Sequence, residues 1–229
     1  AQYVASGEVT GFINGQWAMS EHESDLRVVS TNSFGGWWSG DSVSQVTVLR
    51  PTSGQLKEIG RVGGLGKTEQ VQSVRFIGDM GYVVTFRQTD PLYVIDLTDP
   101  TDPTVAGELK ILGYSAYLHP LGDGILLGIG QDATETGRVT GTQVSLFDVS
   151  DPTNPTKIDG LSVDDAHSEA EWDHHAFLYW NPAELMLAPF SSWSSNEEKE
   201  SETFDTGVLA VKRNGDSLTL EATLRNGLK

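Results

Sequence analysis

Asp96-Leu-Thr-Asp-Pro-Thr-Asp-Pro-Thr104 and Asp148-Val-Ser-Asp-Pro-Thr-Asn-Pro-Thr156 are near-copies of one nine-residue phrase, 52 residues apart. Each follows a short β-type run, Leu92-Tyr-Val-Ile and Val144-Ser-Leu-Phe. An Asp side chain caps turn backbone, Pro fixes φ, and neither continues an inner strand, so the phrase reads as a hairpin turn. As a calcium ligand set it is weak, because the prolines break the alternating acid spacing of an EF-type loop. Internal similarity at this period marks stacked supersecondary units.

Working outward from the phrase resolves four units, each of four short strands. The second runs from Val74-Arg-Phe-Ile through a turn at Gly78-Asp-Met-Gly81 to Tyr82-Val-Val-Thr-Phe, then Leu92-Tyr-Val-Ile and Thr104-Val-Ala-Gly-Glu-Leu109. The third repeats it with Ala116-Tyr-Leu-His, Ile125-Leu-Leu-Gly-Ile, Val144-Ser-Leu-Phe and Lys157-Ile-Asp-Gly-Leu. The first opens on Trp17-Ala-Met-Ser and the fourth on His175-Ala-Phe-Leu-Tyr. No long stretch has helical periodicity, and Gly, Pro, Asp and Asn punctuate the apolar runs. The expected fold is therefore all-β, a β-propeller with four blades of four antiparallel strands, at approximately 12–60, 74–109, 115–162 and 173–224. A β-sandwich is the rival, but it does not require the repetition. Residues 1–11 read as an orphan strand of a preceding blade, so the chain is expected to be one domain, 1–229, cut from a larger propeller.

Length suffices for a sizeable core. No 18-residue apolar span is present, which argues against a membrane-crossing helix. The chain opens without an initiator Met or a signal sequence and is expected to be processed or excised. It has no cysteine, which excludes disulfides, iron–sulfur clusters and zinc–thiolate sites. With 15 basic and 32 acidic residues its formal net charge is −17. Such a surface repels nucleic acid and anionic lipid, and it suits calcium, cationic partners or a salty exterior.

The connections between second and third strands are expected to be the long ones, at about 31–44, 88–91, 130–143 and 190–206. In a propeller they share a face with the links between blades. That face is expected to carry Trp37, Trp38, Trp172, Trp193, His167, Glu169, Glu171 and Asp173, and loops on a rigid scaffold are where binding usually resides. Exposed indoles there would stack on a sugar or a partner protein; the alternative is that they pack the loops onto the blades.

Gln16-Trp-Ala-Met-Ser-Glu-His-Glu23, Tyr82-Val-Val-Thr-Phe-Arg-Gln-Thr-Asp-Pro-Leu92, Tyr117-Leu-His-Pro-Leu-Gly122, Ser145-Leu-Phe-Asp-Val-Ser-Asp-Pro152 and Asp173-His-His-Ala-Phe177 together resemble a known family. It is the family of secreted bacterial and archaeal proteins with a C-terminal β-propeller domain distantly related to WD40 repeats. The resemblance implies an exported or surface-anchored propeller, extracellular, with no established catalytic activity and no catalytic motif to transfer. The fourth unit departs most from the pattern, through the insertion Asn196-Glu-Glu-Lys-Glu-Ser-Glu202.

The richest chemical cluster, Asp164, Asp165, His167, Glu169, Glu171, Asp173, His174 and His175, lies between the third and fourth units. If extended, it puts His167, Glu169, Glu171, Asp173 and His175 on one side. Imidazole and carboxylate there could hold zinc, manganese or calcium; the competing reading is a set of structural hydrogen bonds. His175 is expected to begin the innermost strand. His119, beside Tyr117, is a further candidate ligand if it points to the propeller axis. No Gly-x-Ser-x-Gly, His-Glu-x-x-His or phosphate loop occurs, so no catalytic residue is assigned. Glu169 and Glu171 are the pair a glycosidase reading would need. The sequence expectation is a non-catalytic protein-interaction scaffold acting through the long-loop face. The alternatives are a structural module holding calcium or another divalent metal, and a carbohydrate-binding or polysaccharide-active protein. Expected partners are a protein or surface glycan, together with remaining propeller blades or a second chain.

Overall fold

The computed structural model describes residues 2–33, 42–87, 90–196 and 201–225. The all-β expectation holds: the chain forms four antiparallel sheets and divides into two compact units. No helix among the described residues is long and apolar enough to cross a membrane.

The first unit comprises Ala1–Ile111 and the turn Asp151–Pro155. Its first sheet is a meander of β1 (Met19–His22), β2 (Asp25–Ser33), β3 (Ser42–Thr52) and β4 (Gln55–Leu65). Its second is a meander of β5 (Gln70–Ile77), β6 (Met80–Phe86), β7 (Asp90–Asp96) and β8 (Thr104–Ile111). The hairpin between β1 and β2 turns on Glu23 and Ser24, both with positive φ, and that between β3 and β4 on Ser53 and Gly54, also both positive. Two left-handed residues match the right-handed twist of the strands they join. β-Branched residues fill the pleated core: Val29, Val46, Val48, Val74, Val83 and Ile95 are essentially inaccessible. Trp17, expected in the first strand, lies in a 3-10 turn before it, with the Arg75 guanidinium 3.9 Å from its ring centroid.

The run expected as a strand over Tyr3–Val9 makes no ladder. It touches the first sheet through single bridges, Ser6 to Gln55 and Phe12 to Thr31. Ser6 accepts from the Leu56 N–H at 2.8 Å, and Gly11, at φ 96°, bends the chain against the Thr31 carbonyl. Close backbone approach at a left-handed residue is what only glycine permits.

The second unit comprises Leu112–Ser150 and Thr156–Lys229. Its regular sheet is β9 (Tyr114–Gly122), β10 (Ile125–Ala133), β11 (Val139–Asp148) and β12 (Thr156–Asp164). The other sheet is built on β15 (Leu185–Asn196), β16 (Ser201–Asn214) and β17 (Ser217–Arg225). Its inner position is split between β13 (Ala166–His167), which pairs with Ser191 and Ser192, and β14 (Leu178–Trp180), which pairs with Leu185–Leu187. Leu127, Ile129, Val144 and Leu146 meet Met186, Ala188, Phe190, Leu209 and Val211 in one core. Two expected long connections are largely strand: β10 and β11 leave only residues 134–138 between them, and β15 and β16 stay paired to Asn196–Ser201.

In every sheet the outermost pair slips register at the same step, by a β-bulge. The residue on the near side of the bulge is Gly60 in β4, Gly107 in β8, Asp159 in β12 and Ala222 in β17. A Cβ added to Gly60 would stand 2.8 Å from Pro103 Cδ and closer still to the Pro100 carbonyl; at Gly107 the same atoms belong to Pro155 and Pro152. The repeated phrase thus packs flat on a glycine. Its acids hold the turn: Asp99 Oδ1 accepts from Thr101 N–H at 2.9 Å and from its hydroxyl at 2.7 Å, and Asp151 binds Thr153 with the same distances.

Candidate functional site

Residues 168–177, between the two halves of the split inner strand, form the site. The segment is not extended throughout: it forms two 3-10 turns, Glu169–Glu171 and His174–Ala176. Local capping is the reason. Ser168 accepts from Ala170 N–H while Glu171 accepts from Ser168 N–H at 2.7 Å, a capping box; Asp173 Oδ1 accepts from His175 N–H at 2.9 Å. Ser and Asp offer backbone donors an alternative to a ladder, and here they take it. His175 therefore sits in a turn ahead of β14, not at the start of a strand, and its side chain is 79% exposed.

The turns divide the five residues that strand alternation had placed on one side. Glu171 points inward. Its carboxylate accepts from Gln131 Nε2, Ser168 N–H and the Thr142 hydroxyl, the last at 3.5 Å, so it ties the turn to β10 and β11. Burial pushes its carboxyl above the usual range, while these hydrogen bonds and His167 oppose the rise. Ala170, almost inaccessible, plugs the turn into the core. His167 and Glu169 stay exposed. Asp173, His174 and His175 come together, with one donor atom each all within 4.8 Å. His175 Nδ1 lies 2.8 Å from Asp173 Oδ1, and the two imidazole rings are 4.0 Å apart.

His119 belongs to a separate aromatic cluster. Its ring lies 5.0 Å from Phe177 and 5.6 Å from Tyr179, with Nδ1 3.4 Å from the Tyr117 hydroxyl. His174 belongs to the acid- and histidine-rich run in the sequence but was not among the candidate ligands. Strand parity put it on the opposite side from Asp173 and His175, whereas the Asp173 cap that forms the turn was a local signal already present.

Beside the turn lies an open groove of about 580 Å³, lined by residues of β15, β16 and β17. Glu169 and Trp172 from the turn, Ser191 and Thr206 from a β15–β16 pair, and Leu224 and Arg225 of β17 are among its lining residues. Trp172 is 71% exposed. Trp193 and Phe204, a cross-strand pair with ring centroids 6.1 Å apart, are 57% and 64% exposed. Arg225 Nε donates to Asp205 at 2.6 Å. Glu169 is the groove's carboxylate, and Glu171, the second acid of a glycosidase pair, is committed to the interior. Trp37 and Trp38 lie outside the described residues.

A family model described as a beta propeller domain matches residues 1–228. The chain belongs to that family. An uncharacterized protein of Methanocaldococcus jannaschii is 40% identical over 186 residues, covering 81% of this chain and 28% of the relative. A second uncharacterized protein, from Archaeoglobus fulgidus, is 38% identical over 181 residues, covering 79% and 27%. The propeller chain thus spans less than a third of the length of these relatives. Among solved structures, a hypothetical selenium-binding protein from Sulfolobus tokodaii overlays with a TM-score of 0.51 at 12% identity, covering 88% of this chain and 52% of that one. At that identity the likeness concerns the fold alone.

Proposed function

We propose that this propeller is a non-catalytic interaction scaffold, exported or displayed at the cell surface, whose contact surface is the groove face of the split sheet. The observation that carries the reading is the register of that sheet. Leu178, Trp180, Trp193, Phe204 and Leu224 all fall on one face, since they pair directly with one another or through Leu185, Leu187, Pro189 and Val208. Each is more than half exposed, as is Trp172, which lines the groove together with Leu224. Aromatic residues with an arginine at hand are the usual anchors of protein interfaces. The partner is therefore proposed to be a protein, and further propeller sheets, from a longer protein or a second chain, have the matching apolar chemistry. Export is supported by the resemblance to secreted propeller proteins, and the net charge of −17 disfavours nucleic acid and anionic lipid as partners.

Labelled protein applied to envelope fractions of the source cell tests the reading. Replacing Trp172 and Trp193 together by Ala should weaken binding by ~10-fold or more, as expected for two anchor residues. Unchanged binding by the double variant sinks the proposed surface. Saturable, tryptophan-dependent binding on a glycan array replaces the protein partner with a surface carbohydrate.

A further inference from the structure

We infer that Asp173, His174 and His175 form a binding site for a borderline divalent cation of the zinc class. The inference is independent of the scaffold reading, because it uses none of the groove's aromatic residues. Three donors of suitable type, two imidazole nitrogens and one carboxylate oxygen, lie within 4.8 Å of one another. Metal–ligand bonds of 2.0–2.2 Å in a tetrahedron put ligand atoms roughly 3.3 Å apart. The 2.8 Å separation of Asp173 Oδ1 from His175 Nδ1 and the 4.8 Å limit bracket that value. His175 is exposed, and Asp173 and His174 are half-buried.

The backbone beneath them is already fixed. Ala176 N–H donates to the Asp173 carbonyl at 3.0 Å, and Phe177 N–H to that of His174 at 3.2 Å. Ala170 anchors the preceding turn in the core, and Phe177 packs 5.0 Å from the rings of Tyr117 and His119. Donors on a rigid turn lose less freedom on binding than donors on a mobile loop. The donor set decides the ion class. Imidazole favours zinc, nickel and copper, whereas calcium and magnesium require mainly oxygen ligands, of which this turn supplies one side chain. Three protein ligands leave the fourth tetrahedral position to water. His167 and Glu169 are outside this set, which separates the site from the wider acidic run.

Zinc chloride titrated calorimetrically into the whole chain, in a non-chelating buffer, is the test. One saturable site per chain is expected, with no comparable heat from calcium or magnesium chloride. The variant His174→Ala/His175→Ala should bind zinc at least ~10-fold more weakly, since loss of outer supporting groups alone costs that much. The variant His167→Ala/Glu169→Gln should keep the parent affinity. Circular dichroism melts of both variants verify folding. The inference is overturned by absence of saturable zinc binding, by equal affinity in the His174/His175 variant, or by an equal loss in the His167/Glu169 variant.

Discussion

The first unit and the second solve the same packing problem with opposite chemistry. In both, the outer strand of a sheet bulges at one fixed step. In the first unit the residue there is glycine, and an Asp-Pro turn lies flat on it, with the proline carbonyl and ring where a Cβ would be. In the second unit the position on β12 is Asp159. The turn between β16 and β17 has no proline, and Asp159 Oδ2 accepts from the Leu218 N–H at 2.7 Å. One interface excludes a side chain; the other depends on one. The repeated phrase is thus half of a two-part device, whose other half is a glycine in the preceding outer strand, Gly60 for the first copy and Gly107 for the second.

Replacing either glycine should produce the largest effect. Gly107→Ala forces a methyl group into backbone and a proline ring, neither of which can swing aside, and overpacking of this kind costs about 2–3 kcal/mol. Gly60→Ala should behave alike, as both face the same atoms of the turn. The midpoint of urea unfolding reads this directly. A change below about 0.5 kcal/mol for both would show that the strands separate easily and that the seat is incidental.

Asp159→Ala is the counterpart in the second unit and should cost less, about 1–2 kcal/mol. It removes a charge-assisted hydrogen bond to the Leu218 N–H and a second to Gly160 N–H at 2.8 Å, at a half-buried position that water reaches. The same urea titration applies. If Asp159→Ala destabilises more than Gly107→Ala, the contrast between an excluded and a required side chain is wrong in its order.

The sequence carried one half of this device openly and hid the other. Asp-Pro phrases, paired turn residues and β-branched runs are local signals, so the four sheets and the hairpins were legible. Gly60 and Gly107 were not, because their need for glycine arises from a turn about 40 residues further along the chain. At the candidate site the limit was different. Ser168-Glu-Ala-Glu171 spells a capping box, a local signal that ends a strand, and it decides against the extended alternative that the sequence left open. Alternation would group Glu171 with Asp173 and His175 and set His174 apart; the two turns do the reverse. The aromatic face was partly legible: Trp172 and Trp193 were expected on the loop face, exposed or packed onto the blades, but Phe204, Leu178 and Trp180 come to one face with Trp193 only through the register of β14, β15 and β16.

The smallest expected effect concerns acid. Hydrogen bonds from the Thr101 hydroxyl and N–H hold the Asp99 carboxyl below its ordinary value of 3.8. Hydrogen bonds from Ser150 lower Asp148 in the same way, and those from Thr98 lower Asp96. A carboxyl depressed in the folded state contributes stability that is complete above the unfolded pKa and fades as pH falls through the folded one. The turn that seats on Gly60 should therefore weaken below about pH 3.8. Asp99→Asn keeps an oxygen acceptor for Thr101 but cannot titrate. Between about pH 5 and pH 2.5 its urea midpoint should fall less than that of the parent chain, while the two agree closely near neutrality. Because Asp99 is solvent-exposed, the difference should be small and should shrink with added salt. Parallel curves for parent and variant would mean that the charge is idle, and that proline geometry alone holds the turn against its glycine.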